Sequence, residues 1–140
     1  MTSQTSADLT ALTLRLASGT LFIAHGLMKV FTFTIPGTVG YFESLGLPAA
    51  FAYLTILAEL GGGVALILGL ATRLMSLPLV AVLLGAVWVH AGNGWTFSNP
   101  NGGWEFPLFW AVIQAAIGVL GAGAYRLRIP ALQNALGAFA

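Results

Sequence analysis

Hydrophobic positions along this chain do not alternate with polar ones at a helical or strand period. They run together in four blocks. Leu9–Phe31 is the first and carries Arg15, His25 and Lys29. Ala49–Leu70 is the second, with Glu59 as its single charge. Leu74–Ala91 is the third and holds His90 near its end, and Phe106–Ala124 is the fourth and contains Gln114. Each block is close to the roughly 20 residues that cross about 30 Å of hydrocarbon as a helix. The pattern predicts an all-α membrane protein, one domain of four transmembrane helices over residues 9–31, 49–70, 74–91 and 106–124. The tail from 125 to 140 follows them.

The connections differ in kind. Ala71–Arg73 is short enough to make the second and third helices an antiparallel hairpin. Thr32–Pro48 contains Pro36, Gly37, Gly40, Gly46 and Pro48 and reads as a loop. Gly92–Glu105 is rich in Gly and Asn and carries Trp95 and Trp104, residues suited to the headgroup region. Leu132, Leu136 and Phe139 in the tail are spaced for a short amphipathic turn on the membrane surface. An even number of crossings puts both long loops on one side. Arg73, Arg126 and Arg128 then share the side of the termini, so the positive-inside rule predicts cytoplasmic N- and C-termini. Residues 1–10 contain no Lys or Arg, so the first block is read as a retained helix and not as a signal peptide.

Composition agrees with the pattern. Of 140 residues 58% are hydrophobic and 6% charged, and the mean hydropathy is +0.91. A soluble domain carries about 25% charged residues, so much of this surface must face lipid. The lipid bilayer is therefore the first partner. A net charge of +1 supplies no field for nucleic acid. The chain has no cysteine, which removes thiol redox chemistry, iron–sulfur ligation and cysteine-bound zinc. Any redox role therefore needs electrons carried by a bound cofactor or a partner protein.

The chemistry sits in the few ionisable side chains. Glu59 lies about ten residues from either end of its block, or ~15 Å along the axis, too far to reach water. It needs a cation or an internal hydrogen bond, and His25 or Lys29 on the first helix are the expected partners. Glu59 is then either a lock between helices or a proton or ligand group. Gly61, Gly62 and Gly63 allow close approach of another helix. His25, Lys29, Glu59 and His90 form the candidate ligand-binding cluster, with Arg15, Glu105 and Trp88 in support. Lys29 is also placed to snorkel to headgroups, and snorkelling or a lipid-phosphate contact is the favoured reading for Arg15. Glu105 opens the fourth helix, where the helix dipole favours a carboxylate. No helix carries a metal-ligand pair at helical spacing, so no metal is expected. No cofactor signature and no catalytic residue is legible.

Arg15, His25-Gly26-Leu27-Met28-Lys29, Leu45-Gly46-Leu47-Pro48, Glu59 with Gly61 to Gly63, Gly69-Leu70-Ala71-Thr72-Arg73, His90 and Gly102-Gly103-Trp104-Glu105-Phe106 together resemble the DoxX family of small bacterial membrane proteins. The ordered set runs from about Leu14 to Tyr125. Members often end the fourth helix with Gly-x-Gly-x-x-Ser-x-Asp. Here Gly121-Ala122-Gly123-Ala124-Tyr125 is followed by Arg126-Leu127-Arg128, so a role for that Asp does not transfer. The resemblance implies a four-helix bundle in a bacterial inner membrane. It also implies a link to thiosulfate:quinone oxidoreduction or to complexes resisting oxidative stress. The expected function is an accessory subunit of a quinone-linked redox or detoxification system, with a polar pocket in the outer half of the bundle, a quinone as candidate ligand, and a redox protein or a second copy of the chain as candidate partner. A small-solute or proton carrier and a structural adaptor are the rival readings.

Overall fold

A computed structural model describes residues 2–139, so Met1 and the last residue of the expected tail, Ala140, lie outside the described residues. The regular elements described are all helical: α1 (Ser3–Leu27) continuing into a π-helical turn (Met28–Thr32), α2 (Ile35–Ser44), α3 (Ala49–Leu68), α4 (Thr72–His90), α5 (Glu105–Leu120) and α6 (Pro130–Leu136).

Helix ends follow local chemistry. Thr2 caps α1, its side chain accepting from the Thr5 amide, so the helix begins six residues before the apolar block does. α3 stops at Gly69, which adopts φ +69°, while Leu70 N–H donates to the Ala65 carbonyl at 2.8 Å. That is a Schellman stop, and only Gly takes the left-handed position without penalty. α5 ends at Leu120, because Gly121 turns to φ +81° and Gly123 to φ +64°. The expected fourth helix to residue 124 is therefore shorter, and residues 121–129 run as irregular chain across the bundle end.

The segment from Thr32 to Pro48 is not a simple loop. It contains α2, started by the Thr34 side chain accepting from the Gly37 amide, with Pro36 in the first turn. Proline belongs there because its missing N–H needs no helical acceptor.

The long helices close a ring. α1 packs on α3 and α5, and α4 packs on α5 and α3. The α1–α3 register is antiparallel, with Arg15 level with Leu66, Gly19 with Gly63, and Lys29 with Glu59. A Cβ at Gly63 would sit 2.9 Å from the Gly19 carbonyl oxygen, so two backbones touch where both residues are glycine. Gly62 faces Leu79 of α4, and Gly61 faces open space. The core between the helices is Phe22, Leu66, Leu79, Leu83, Trp110, Ala111 and Ile117.

Outside the ring the surface is apolar. Phe31, Leu57, Leu77, Phe109, Val112 and Val119 are each at least 60% exposed, the reverse of a soluble surface and what a lipid-facing one requires. Among the described residues, three helical segments are long and apolar enough to cross a membrane: Ser3–Thr32, Ala49–Leu68 and Thr72–Asn93. α5 is apolar but has 16 residues, ~24 Å of rise.

Candidate functional site

The two ends of the bundle hold different polar groups. At one end, Arg15 is fully buried and donates to five backbone carbonyls. Nε bonds Ala122, Nη1 bonds Leu66 and Ile67, and Nη2 bonds Ala124 and Tyr125, all at 2.6–2.8 Å. Snorkelling, the reading favoured from sequence, is overturned. The guanidinium has five N–H groups in a planar fork, and every one is used. It satisfies carbonyls at the C-terminal end of α3, where a cation also complements the helix dipole. It also ties the irregular chain after α5 to α1. A cleft of about 540 Å³ lies at this end, between Gln4, Asp8 and the stretch from Gly123 to Arg128.

In the middle, a buried hydrogen-bond chain joins three helices. Trp110 Nε1 donates to Ser18 Oγ (2.8 Å), Ser18 Oγ donates to Gln114 Oε1 (2.7 Å), Gln114 Nε2 donates to Ser76 Oγ (2.9 Å), and Ser76 Oγ donates to the Thr72 carbonyl (2.8 Å). Gln114 stood out in the sequence as a polar residue in an apolar block. Ser18 and Ser76 did not, because small hydroxyls are common in membrane helices, and a lone indole such as Trp110 reads first as packing.

Toward the other end lies the candidate site. The π-helical turn begins at Met28 and carries Lys29. Such a turn widens the helix and is frequent at functional positions. The Lys29 carbonyl accepts from the Thr38 hydroxyl at 2.9 Å, so α2 is strapped to the turn. Lys29 Nζ donates to Glu59 Oε1 at 2.8 Å. The two side chains are 21% and 6% exposed, so the pair opens to the surface on the lysine side. Gly26 makes this approach possible, since a Cβ there would meet the Leu60 side chain at 2.7 Å and the Glu59 Cβ at 3.4 Å. The expected partnership of Glu59 with the first helix is thus present, and Lys29 is the partner. The other carboxylate oxygen, Oε2, is buried and has no hydrogen-bond partner among the described residues.

Among the remaining sequence candidates, His25 stays close enough to Glu59 to act on it electrostatically, and each makes contacts of its own. His25 Nδ1 meets the Leu21 carbonyl at 2.8 Å. A carbonyl only accepts, so Nδ1 carries the proton and Nε2 is the basic atom of the neutral ring. The His25 ring lies 5.2 Å from that of Trp110, which stacks in turn on Phe22 at 4.3 Å. His90 Nδ1 makes the same kind of bond to the Ala86 carbonyl at 2.7 Å, and its ring borders Gly102 in the α4–α5 connection. Glu105 is in the first turn of α5, as its sequence position requires. Its Oε1 accepts from the Phe97 amide at 2.7 Å, which pins that connection to the helix. Trp88 is 59% exposed on α4, an outward-facing position.

Comparison with known proteins agrees with this architecture. The DoxX family profile matches residues 10–92. The chain is 39% identical to CatD of Bacillus subtilis (strain 168), provisionally named an oxidoreductase, over 59% of this chain and 60% of that protein. It is 35% identical to the uncharacterized membrane protein Rv3486 of Mycobacterium tuberculosis (strain ATCC 25618 / H37Rv), over 74% of this chain and 62% of that protein. The chain therefore spans about three fifths of the length of these curated relatives. No solved structure matches it. With its apolar helices, lipid-suited surface and a profile covering more than half its length, this membrane protein belongs to the DoxX family.

Proposed function

We propose that this protein is an accessory subunit of a quinone-linked redox or detoxification system in a bacterial inner membrane, crossing it four times with both termini in the cytoplasm. One observation carries the reading. Glu59, 4% exposed in the middle of an apolar helix, is ion-paired through one oxygen while the other has no partner among the described residues. An intramembrane carboxylate is costly, and one held half-satisfied beside an accessible ammonium suits a ligand better than a lock, which would use both oxygens. A quinone or quinol headgroup needs hydrogen-bonding groups at its oxygens, and the pair offers a donor in Lys29 and an acceptor in Glu59, open on the lysine side. The oxidoreductase name of one relative points to the same class of chemistry. With no cysteine in the chain, the electrons travel in a bound cofactor such as the quinone or in a partner.

The topology rests on Arg73, Arg126 and Arg128, which gather with the termini at one end of the bundle. α5 makes the fourth crossing with help from its flanking residues and local thinning of the bilayer.

The test is purification in mild detergent, followed by mass spectrometry of copurifying lipids, quinones and proteins. Quinone enrichment over a matched membrane protein, together with a stoichiometric redox partner, is the expected result. A preparation with neither overturns the reading.

A further inference from the structure

The proposed quinone-linked reading leaves the redox form of the ligand open, and the hydrogen-bonding groups at the pair choose between the forms. Lys29 Nζ is a donor with three N–H groups, one of them committed to Glu59 Oε1. Glu59 Oε2 is an acceptor with no partner among the described residues, 4% exposed as part of its residue, and covalently fixed beside Oε1. The two open valences lie on the two partners of one ion pair and have opposite sense. A group that fills both must donate and accept through the same small atom set. A hydroxyl does this. Its O–H donates to Oε2 while its oxygen accepts from Nζ. A quinone carbonyl only accepts. It can take a proton-bearing nitrogen from Lys29, but it leaves Oε2 unpaired and pushes a second electronegative oxygen toward the carboxylate.

We infer that the Lys29–Glu59 pair is a site for an aromatic hydroxyl of a lipid-soluble ligand, and that it binds the reduced quinol in preference to the oxidised quinone. The inference rests on the quinone-linked reading and adds the discrimination between its two forms. Access is from the Lys29 side, which at 21% exposure is the open face of the pair. Thr38 on α2 fixes the backbone beneath Lys29 and so positions Nζ without touching the ligand.

The experiment titrates decylubiquinol and decylubiquinone separately into the full-length protein in detergent, under argon, by isothermal calorimetry against empty micelles. The wild-type protein should bind the quinol more tightly by about tenfold, the factor attached to one buried hydrogen-bonding group left unmade. Glu59→Gln replaces the acceptor pair by one carbonyl and one NH2, which can donate to a quinone oxygen, so the preference should vanish or reverse. Lys29→Met should weaken both forms. Equal affinities in the wild type, a tighter quinone, or a preference unchanged in Glu59→Gln would overturn the inference while leaving the quinone-linked reading intact. Binding of neither form would overturn both. The wild-type comparison needs no variant, so a poorly folding Glu59→Gln does not block the decision.

Discussion

Replacing Arg15 by Met removes a guanidinium whose five N–H groups bond the carbonyls of Leu66, Ile67, Ala122, Ala124 and Tyr125. Three of these carbonyls are part-buried and can turn to water. The bonds to Leu66 and Ala122 are buried. A buried carbonyl left without a donor costs about 1–3 kcal/mol. Leu66 keeps a second donor, the Gly69 amide at 3.1 Å, which softens its loss. Relief of the cost of burying a cation offsets part of the rest. The net expectation is a loss of about 2–4 kcal/mol. Arg15→Lys keeps the charge but has three donors for five acceptors, so it should lose roughly half as much. Unfolding by sodium dodecyl sulfate titration measures both values. Because Arg15 holds the chain after α5, trypsin should also cut after Arg126 and Arg128 faster in Arg15→Met than in the wild type. A loss below about 1 kcal/mol with unchanged cleavage would mean that the five bonds hold nothing together, and the reasoning from them would fail.

Two further substitutions test the packing. Gly63→Val places a branched side chain 2.8 Å from Ile23 and 2.9 Å from the Gly19 carbonyl, so it should cost about 1–3 kcal/mol in the same titration. Gly61→Ala, which meets nothing within 4 Å, should stay within about 0.5 kcal/mol, and equal effects at the two positions would contradict the α1–α3 register. Gln114→Leu removes the link between Ser18 and Ser76 at nearly constant volume. It should cost about 0.6–2 kcal/mol, the range of hydrogen bonds between membrane helices, and a stabilised variant would show the chain to be dispensable.

Much of this arrangement was legible in the order of residues because the membrane makes a few rules strict. An apolar run of about 20 residues has few other fates, and a carboxylate in its middle must find a partner. That rule leads from Glu59 to the first helix on the sequence alone. It stopped short of choosing Lys29 over His25, since the choice depends on the π-helical turn and on the depth of the Gly26 contact. α2 was missed for a different reason. Pro36, Gly37 and Gly40 were weighed as breakers, yet Pro36 behind Thr34 is a helix start, and the Thr-x-Pro order was the available signal. Arg15 was misjudged because its acceptors are backbone carbonyls. Side-chain spelling cannot show that residues 122–125 fold back over α1, although Gly121 and Gly123 hint at the break that frees them.

The site itself was legible only as a set of residues rare in membranes. His90 and Glu105 are grouped with Glu59 on that ground; His90 bonds the Ala86 carbonyl within α4 while its ring borders Gly102, and Glu105 bonds the Phe97 amide of the α4–α5 connection. Trp88 is named in support of that cluster, and its helical phase points it outward. Burial and phase decide such matters, and both need the helix register.

The central claim is that Glu59 serves a ligand and is more than a lock between α1 and α3. The measurement that tests it most directly is paired stability and function of Glu59→Gln: the unfolding titration beside complementation of a deletion strain under oxidative or sulfur stress. Gln keeps the volume and a hydrogen bond to Lys29 but cannot ionise. The account predicts a variant that folds within about 1 kcal/mol of the wild type and fails to complement, with Glu59→Leu failing on both counts because it strands the Lys29 ammonium. A Glu59→Gln protein that complements as well as the wild type would contradict the account and leave Glu59 as structural glue.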